Sequence, residues 1–176
     1  MKTNIALIGF MGVGKTAVGR ALAKKLNKRF VELDSLIERK AGKPIPDIFQ
    51  QDGEITFREL EIEATKEIAT GKNLVIACGG GIVLNKINID RLRQEAIIVH
   101  LTASPQVILK RTSGDGVRRP LLEVADPALT VRELLKFRRP CYERASDIKI
   151  DTSKLDINTV VEPIISKIRE HESLNS

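Results

Sequence analysis

The sequence predicts an α/β fold: a five-stranded parallel sheet with helices on both faces, a three-layer sandwich built around a phosphate loop. Three observations predict it. Five short apolar runs alternate with segments of helical periodicity, as parallel strands joined by helical crossovers do. A glycine-rich stretch of phosphate-binding type joins the first run to the first helical segment. There is no internal repeat and no linker long enough to split the chain, so residues 1–176 read as one domain.

The elements follow in order. Residues 4–8, NIALI, form the first strand and run directly into GFMGVGKT. Val18, Leu22 and Leu26 recur every four residues and mark an amphipathic helix from Thr16 to Leu26. Phe30 to Leu33 is the second strand. Ser35 to Ala41 reads as a helix stopped by Gly42, and Lys43-Pro44-Ile45-Pro46 as a turn. A short helix is expected from Asp47 to Gln51, broken by Gly53. Phe57, Leu60, Ala64 and Ile68 then mark a longer helix that Gly71 ends. Leu74 to Ala77 is the third strand and Ile97 to Leu101 the fourth; Pro105 to Lys110 opens another helix.

Residues 112–127 lack periodicity and are rich in Gly, Asp and Pro. A loop of that length in a compact domain is usually functional or disordered. Val131 to Ala145 is helical in pattern, with a kink or an interruption expected at Pro140. Ile148 to Ile150 is the fifth strand, Val160 to Ile168 a closing helix, and residues 171–176 a frayed polar tail.

Composition narrows the function. With 42% hydrophobic and 30% charged residues, the chain has the make-up of a soluble globular domain. Six aromatic residues, with no Trp and one Tyr, argue against a nucleic-acid binder that stacks bases. Cys78 and Cys141 lie far apart without a nearby Cys or His, which argues against a disulfide scaffold or zinc site and for a reducing, cytoplasmic setting. No apolar run is long enough for a membrane span. The net charge is +6, and residues 110–144 supply +4 of it, with nine basic residues against five acidic ones. Seven of the nine are Arg, suited to forked contact with phosphate or carboxylate.

Residues 9–16, GFMGVGKT, match the GxxxxGK[ST] phosphate-loop pattern in its required place between a strand and a helix. Glycines let backbone N–H groups, including those of Gly12, Val13, Gly14 and Ala17, converge on phosphate oxygens, aided by the helix N-terminus. Lys15 would reach the β- and γ-phosphates and the Thr16 hydroxyl would bind Mg²⁺. A guanine-reading NKxD motif is missing: Asn85-Lys86-Ile87-Asn88 lacks the aspartate and comes too early. The strand at 74–78 ends in glycines, not in the Asp of ATP-driven machines. A small-molecule kinase using ATP is the class that remains.

Over nearly its full length the chain resembles shikimate kinases. The stretches that carry the resemblance are GFMGVGKT at 9–16, Glu32-x-Asp34, DIFQQDGEITFRELE at 47–61, ACGGGIV at 77–83, VRRPLL at 117–122 and RRPCYERA at 138–145. It implies ATP- and Mg²⁺-dependent phosphorylation of the 3-hydroxyl of shikimate, in the route to chorismate, by a monomer that binds neither nucleic acid nor membrane. A gluconate kinase-like or nucleoside monophosphate kinase-like enzyme is the alternative, since a carboxylated polyol needs similar arginines.

The resemblance also implies roles. Asp34 is the candidate general base; its residue type equally suits a helix N-cap. Glu32 stands where the family typically has Asp, beside the metal's water shell. Glu is one methylene longer, so it either still reaches a metal-bound water or leaves that role vacant. Arg58 and Arg138 are assigned to the substrate carboxylate, with Arg139 competing for the second place, although Arg58 amid Glu54, Glu59 and Glu61 also reads as a surface ion-pair residue. Gly79, Gly80 and Gly81 would offer backbone donors to substrate, and Cys78 packs behind them. Arg119, with Arg118 competing, is the arginine of a mobile lid at about 112–127. Arg111 stacks on or flanks adenine, or else is a surface residue; Phe49, Asp52 and Phe57 line or shape the pocket of a substrate-binding segment at about 34–62, although the two Phe also read as core residues.

Overall fold

All five apolar runs are parallel strands in the computed structural model, which describes residues 2–154 and 156–174. They are β1 (Asn4–Ile8), β2 (Arg29–Glu32), β3 (Leu74–Ala77), β4 (Ala96–Thr102) and β5 (Ile148–Asp151), in the spatial order β2-β3-β1-β4-β5. β1 lies at the centre, with Ala6 in register with Ile76 on one side and Ile98 on the other. β1 and β3 are buried along their whole length, because helices cover both faces.

The period of two along the strands separates two cores. Ile5, Leu7, Val75, Ile97, Val99 and Leu101 point to one face. There they meet α1 (Lys15–Leu26) and α8 (Ile157–Leu174) through residues such as Leu22 and Ile164. Ala6, Ile8, Ile76 and Ile98 point to the other. That face is covered by α2 (Leu33–Ala41), α4 (Gly53–Ala69), α5 (Lys86–Glu95) and α7 (Pro127–Ala145), through Ile37, Ile68, Leu92 and Tyr142. Each fully buried Leu or Ile contributes roughly 1.5–3 kcal/mol, so a handful on each face outweighs any surface ion pair.

Several boundaries differ from those expected. Leu33 leaves the second strand to begin α2, and Gly42 ends that helix as expected. The Pro44–Pro46 turn opens α3 (Ile45–Gln51) instead, because Pro46 occupies its first turn, where no intrahelical N–H is needed. α5 has a polar sequence with little apolar periodicity. It is held by buried Ile89 and Leu92 and capped by Asn85, whose side chain accepts from the Ile87 N–H at 3.3 Å. The stretch that superficially approached a guanine motif is therefore a helix cap.

α6 (Pro105–Gly114) runs into the stretch expected to be loop, and a single 3-10 turn covers Pro120–Leu122. α7 begins at Pro127, capped by Asp126, and continues through Pro140. α8 continues past His171 to Leu174, where fraying was expected; residues 175–176 lie outside the described residues.

From β1 the chain passes to the edge strand β2, returns to β3 between the two, and then crosses β1 to β4 and the opposite edge β5. The order reverses beside β1, which opens a crevice at the carboxyl ends of the strands. GFMGVGKT leaves β1 there, and Cys78 and the glycine triplet leave β3 there.

Candidate active site

The phosphate loop closes over this crevice because Gly14, at the N-terminus of α1, takes a left-handed φ of 98° that disfavours a side chain. The Lys15 ammonium donates to the carbonyls of Gly9 and Phe10, both at 2.8 Å. Withdrawal from water lowers its pKa to about 8, against the pull of nearby Asp34. The Thr16 hydroxyl donates to the Glu32 carboxylate, whose second oxygen accepts from Ser35 at 3.4 Å. The longer Glu32 side chain thus reaches the threonine of the phosphate loop.

A cavity of about 790 Å³ opens in front of this loop. Gly12, Gly14, Lys15, Thr16 and Ala17 line one end, while Val13 is buried beneath, its carbonyl accepting from Thr152 at 2.9 Å. Asp34, in the first turn of α2, faces into it. It does not cap the helix: Oδ1 is buried without a hydrogen-bond partner among the described residues. Burial pushes its pKa up, and the Lys15 ammonium opposes that rise.

Across the cavity, Arg58 projects from α4. Its Nη1 donates to Glu61 at 3.0 Å and its Nη2 to Glu54 at 3.1 Å, and its guanidinium lies 5.0 Å from the Phe57 ring centroid. Arg58 is therefore ion-paired, as its neighbours suggested, yet it also lines the cavity and packs against Gly81.

Glu61 was not anticipated. It is fully buried, one oxygen on Arg58 and the other without a partner among the described residues, and burial raises its pKa. Its signal was a carboxylate on the buried stripe Phe57, Glu61, Ala64, Ile68, where a charge must have a partner or a task. A β-carbon at Gly79 would meet Asp34 Oδ1 at 2.9 Å and Glu61 Oε2 at 3.3 Å, so both orphaned oxygens converge on that glycine.

Two ambiguous arginine pairs occupy distinct places. Arg138 is buried, lines the cavity and stands 5.7 Å from the Phe10 ring centroid; Arg139 is exposed and bonded to Glu143 at 2.9 Å. Arg118 and Arg119 both line the cavity. Arg118 is bonded to Glu123 at 2.6 Å, while Arg119 is bonded to Asp115 at 2.5 Å and its charge bears on Lys15.

Among the other candidates Arg111 and Asp52 lie off the cavity, while Phe49, Phe57 and Cys78 line it. Arg111 spans Gly12 O at 3.2 Å and Thr152 O at 2.9 Å, tying the phosphate loop to the residue after β5. Asp52 pairs with Lys43 at 2.5 Å and is not on the lining, whereas Phe49 and Phe57 are, with ring centroids 4.8 Å apart. Cys78 is buried, and its thiol is pushed up to about 12 by that burial, as suits packing. The cavity thus brings a phosphate loop, the buried carboxylates of Asp34 and Glu61 and four arginines, Arg58, Arg118, Arg119 and Arg138, to one place.

Comparison with known proteins agrees with this geometry. The family model described as shikimate kinase matches residues 11–169. A shikimate kinase of Symbiobacterium thermophilum is 44% identical over 95% of this chain and 97% of its own. One of Thermodesulfovibrio yellowstonii is 46% identical over 98% and 97%. A shikimate kinase from Acinetobacter baumannii, solved in complex with shikimate, superposes with a TM-score of 0.92 at 39% identity, covering 97% of this chain and 94% of that one. Matched by one family model along most of its length and by these relatives almost end to end, the chain belongs to the shikimate kinase family.

Proposed function

We propose that the chain transfers the γ-phosphoryl group of ATP to the 3-hydroxyl of shikimate, giving shikimate 3-phosphate and ADP in the route to chorismate and the aromatic amino acids. The observation that carries this reading is one cavity lined by Lys15 and Thr16 of the phosphate loop, by the Asp34 carboxylate and by Arg58 and Arg138. A triphosphate and a small carboxylated alcohol are the two anions that such a cavity fits.

On this reading Lys15 exchanges its two loop carbonyls for the β- and γ-phosphates, next to backbone N–H groups of residues 12–17. Arg58 and Arg138 hold the substrate carboxylate, a planar acceptor that suits their forked donors. The Gly79–Gly81 turn adds backbone contact. Asp34 orients the attacking hydroxyl and takes its proton. Phosphoryl transfer depends mainly on placement and charge, so orientation is the larger part of that role. Arg119 closes as part of a lid at 112–127, bringing positive charge to the transferring group and excluding water. Arg111 acts from the adenine side of the phosphate loop.

Mg²⁺ fits the oxygen donors present: the Thr16 hydroxyl and Glu32 carboxylate stand together on the cavity wall. Among the described residues no group of three His, Cys, Asp or Glu side chains could hold a metal, which suits an ion carried chiefly by phosphate and water. When bound, the ion neutralises charge on the β- and γ-phosphate oxygens. Thr16 would ligate it, with Glu32 holding one of its waters.

We further take the protein to act as a cytoplasmic monomer without nucleic-acid or membrane partners. The low aromatic content speaks against a partner whose bases would stack, and among the described residues no helix is long and apolar enough to cross a membrane. ADP release by the purified protein with ATP and Mg²⁺ tests the activity, adding shikimate, gluconate, AMP or single-stranded DNA separately. Shikimate alone is expected to stimulate. Stimulation by gluconate or AMP but not by shikimate overturns the reading.

A further inference from the structure

The backbone N–H groups of Gly79, Gly80 and Gly81 have no partner among the described residues, and three consecutive glycines have no side chains to lock the turn they form. The Ile82 N–H closes the turn on the Gly79 carbonyl at 3.2 Å, but that bond does not touch the central Gly80–Gly81 peptide, whose orientation needs another hold. The Tyr142 hydroxyl, from α7, donates to the Gly80 carbonyl. We propose that Tyr142 is a positioning residue: by fixing the Gly80–Gly81 peptide it aims the Gly81 N–H at the carboxylate end of the substrate site.

The peptide's own geometry carries the argument. A trans peptide is planar, with its C=O and N–H pointing in opposite directions, and the chain has no cis peptide among its described residues. Holding the Gly80 oxygen from the core therefore turns the Gly81 N–H the other way, and Gly81 itself lines the cavity against Arg58.

The phenol is itself held. It is 2% exposed and stacks on His100 of β4, with ring centroids 4.7 Å apart and planes 15° from parallel. Burial raises its pKa to about 12 against the pull of the neighbouring Arg138, so it stays a proton donor at neutral pH. Arg138 precedes it by one helical turn, a spacing that places two side chains on the same face. One face of α7 thus delivers an arginine to the cavity and a hydroxyl to the turn beside it.

The proposal rests on the shikimate kinase reading for its substrate, and its experiment separates the two. Tyr142→Phe keeps the ring and its stack and removes only the donor. The KM for shikimate should rise roughly tenfold, as for loss of one buried hydrogen bond, with the KM for ATP within about twofold. Replacing Tyr142 by 4-aminophenylalanine, which restores a donor, should recover most of the affinity. In the ligand-free protein the Gly81 amide resonance should move in Tyr142→Phe and return in the amino variant. A KM for shikimate within about twofold of wild type, or an equal rise in both KM values, overturns the proposal. If wild type fails to phosphorylate shikimate, the functional reading falls. The ligand-free Gly81 resonance then decides the role of Tyr142, and an unmoved resonance in Tyr142→Phe overturns it.

Discussion

Gly81 and Arg58 are packed so closely that a β-carbon on the glycine would stand 2.5 Å from both terminal guanidinium nitrogens. The obstacle is the end of a flexible side chain, so Gly81→Ala should displace Arg58 and leave the fold intact. We expect the KM for shikimate to rise at least about tenfold with a melting temperature within a few degrees of wild type. Steady-state kinetics and thermal unfolding check this; an unchanged KM would mean that Arg58 does not hold the substrate.

Two titrations bound the activity. In the free enzyme Lys15 loses its proton at about 8, so kcat/KM for ATP should fall above that pH. Bound phosphates favour the ammonium, which should shift the alkaline limb of kcat higher at saturating ATP. Burial raises the Asp34 pKa, so the acid limb of kcat/KM for shikimate should lie above the ordinary carboxylate range. Alkaline limbs that coincide in kcat and kcat/KM would refute the lysine assignment.

His100 makes the fold itself sensitive to acid. Burial and the charges of Lys149 and Lys15 lower its pKa from 6.5 to about 4, opposed by Glu143. Between those values the unfolded chain binds a proton that the folded one refuses, so stability falls as pH drops from 6.5 towards 4. The loss amounts to about 3 kcal/mol at most. Denaturant unfolding of wild type and His100→Phe across that interval should show a shallower decline in the variant; parallel curves would exclude His100 as the cause.

Glu32 tests whether the longer carboxylate serves the metal. Glu32→Gln keeps the hydrogen bond from Thr16 but removes the charge, and should raise the Mg²⁺ concentration giving half-maximal rate by about tenfold or more. Glu32→Asp should lie between the two. Identical Mg²⁺ titrations for all three would assign Glu32 to the Thr16 bond alone.

The adjacent arginines of the proposed lid, Arg118 and Arg119, should differ sharply. Arg119 bears on Lys15 and Arg118 on Glu123, so Arg119→Ala should lower kcat by roughly 10²-fold and Arg118→Ala by only a few-fold. Equal losses would place both on the transferring phosphate.

Much of this was legible in the residues because local chemistry and global fold agree. The strand runs, the GFMGVGKT loop and the Gly42 stop all announce themselves through period, spacing or backbone conformation. What escaped did so for physical reasons. α5 carries too few apolar residues for periodicity to register, and its stability comes from packing. The Pro44–Pro46 segment carries the same signal whether it turns or starts a helix. Arg138 and Arg139 are chemically alike, and only the facing of α7 decides which one is buried. Glu61 sat in plain view on an apolar stripe, but its meaning depended on a partner from the same helix and a glycine from β3's end.

The bonds around the phosphate loop also impose an order of assembly. Residues 9–16 are synthesised first, yet Arg111 holds the Gly12 carbonyl and Thr152 the Val13 carbonyl. A nascent chain therefore carries this motif before the groups that bond it have been made. The loop takes its full set of bonds only once β5 and the residue that follows it have been translated.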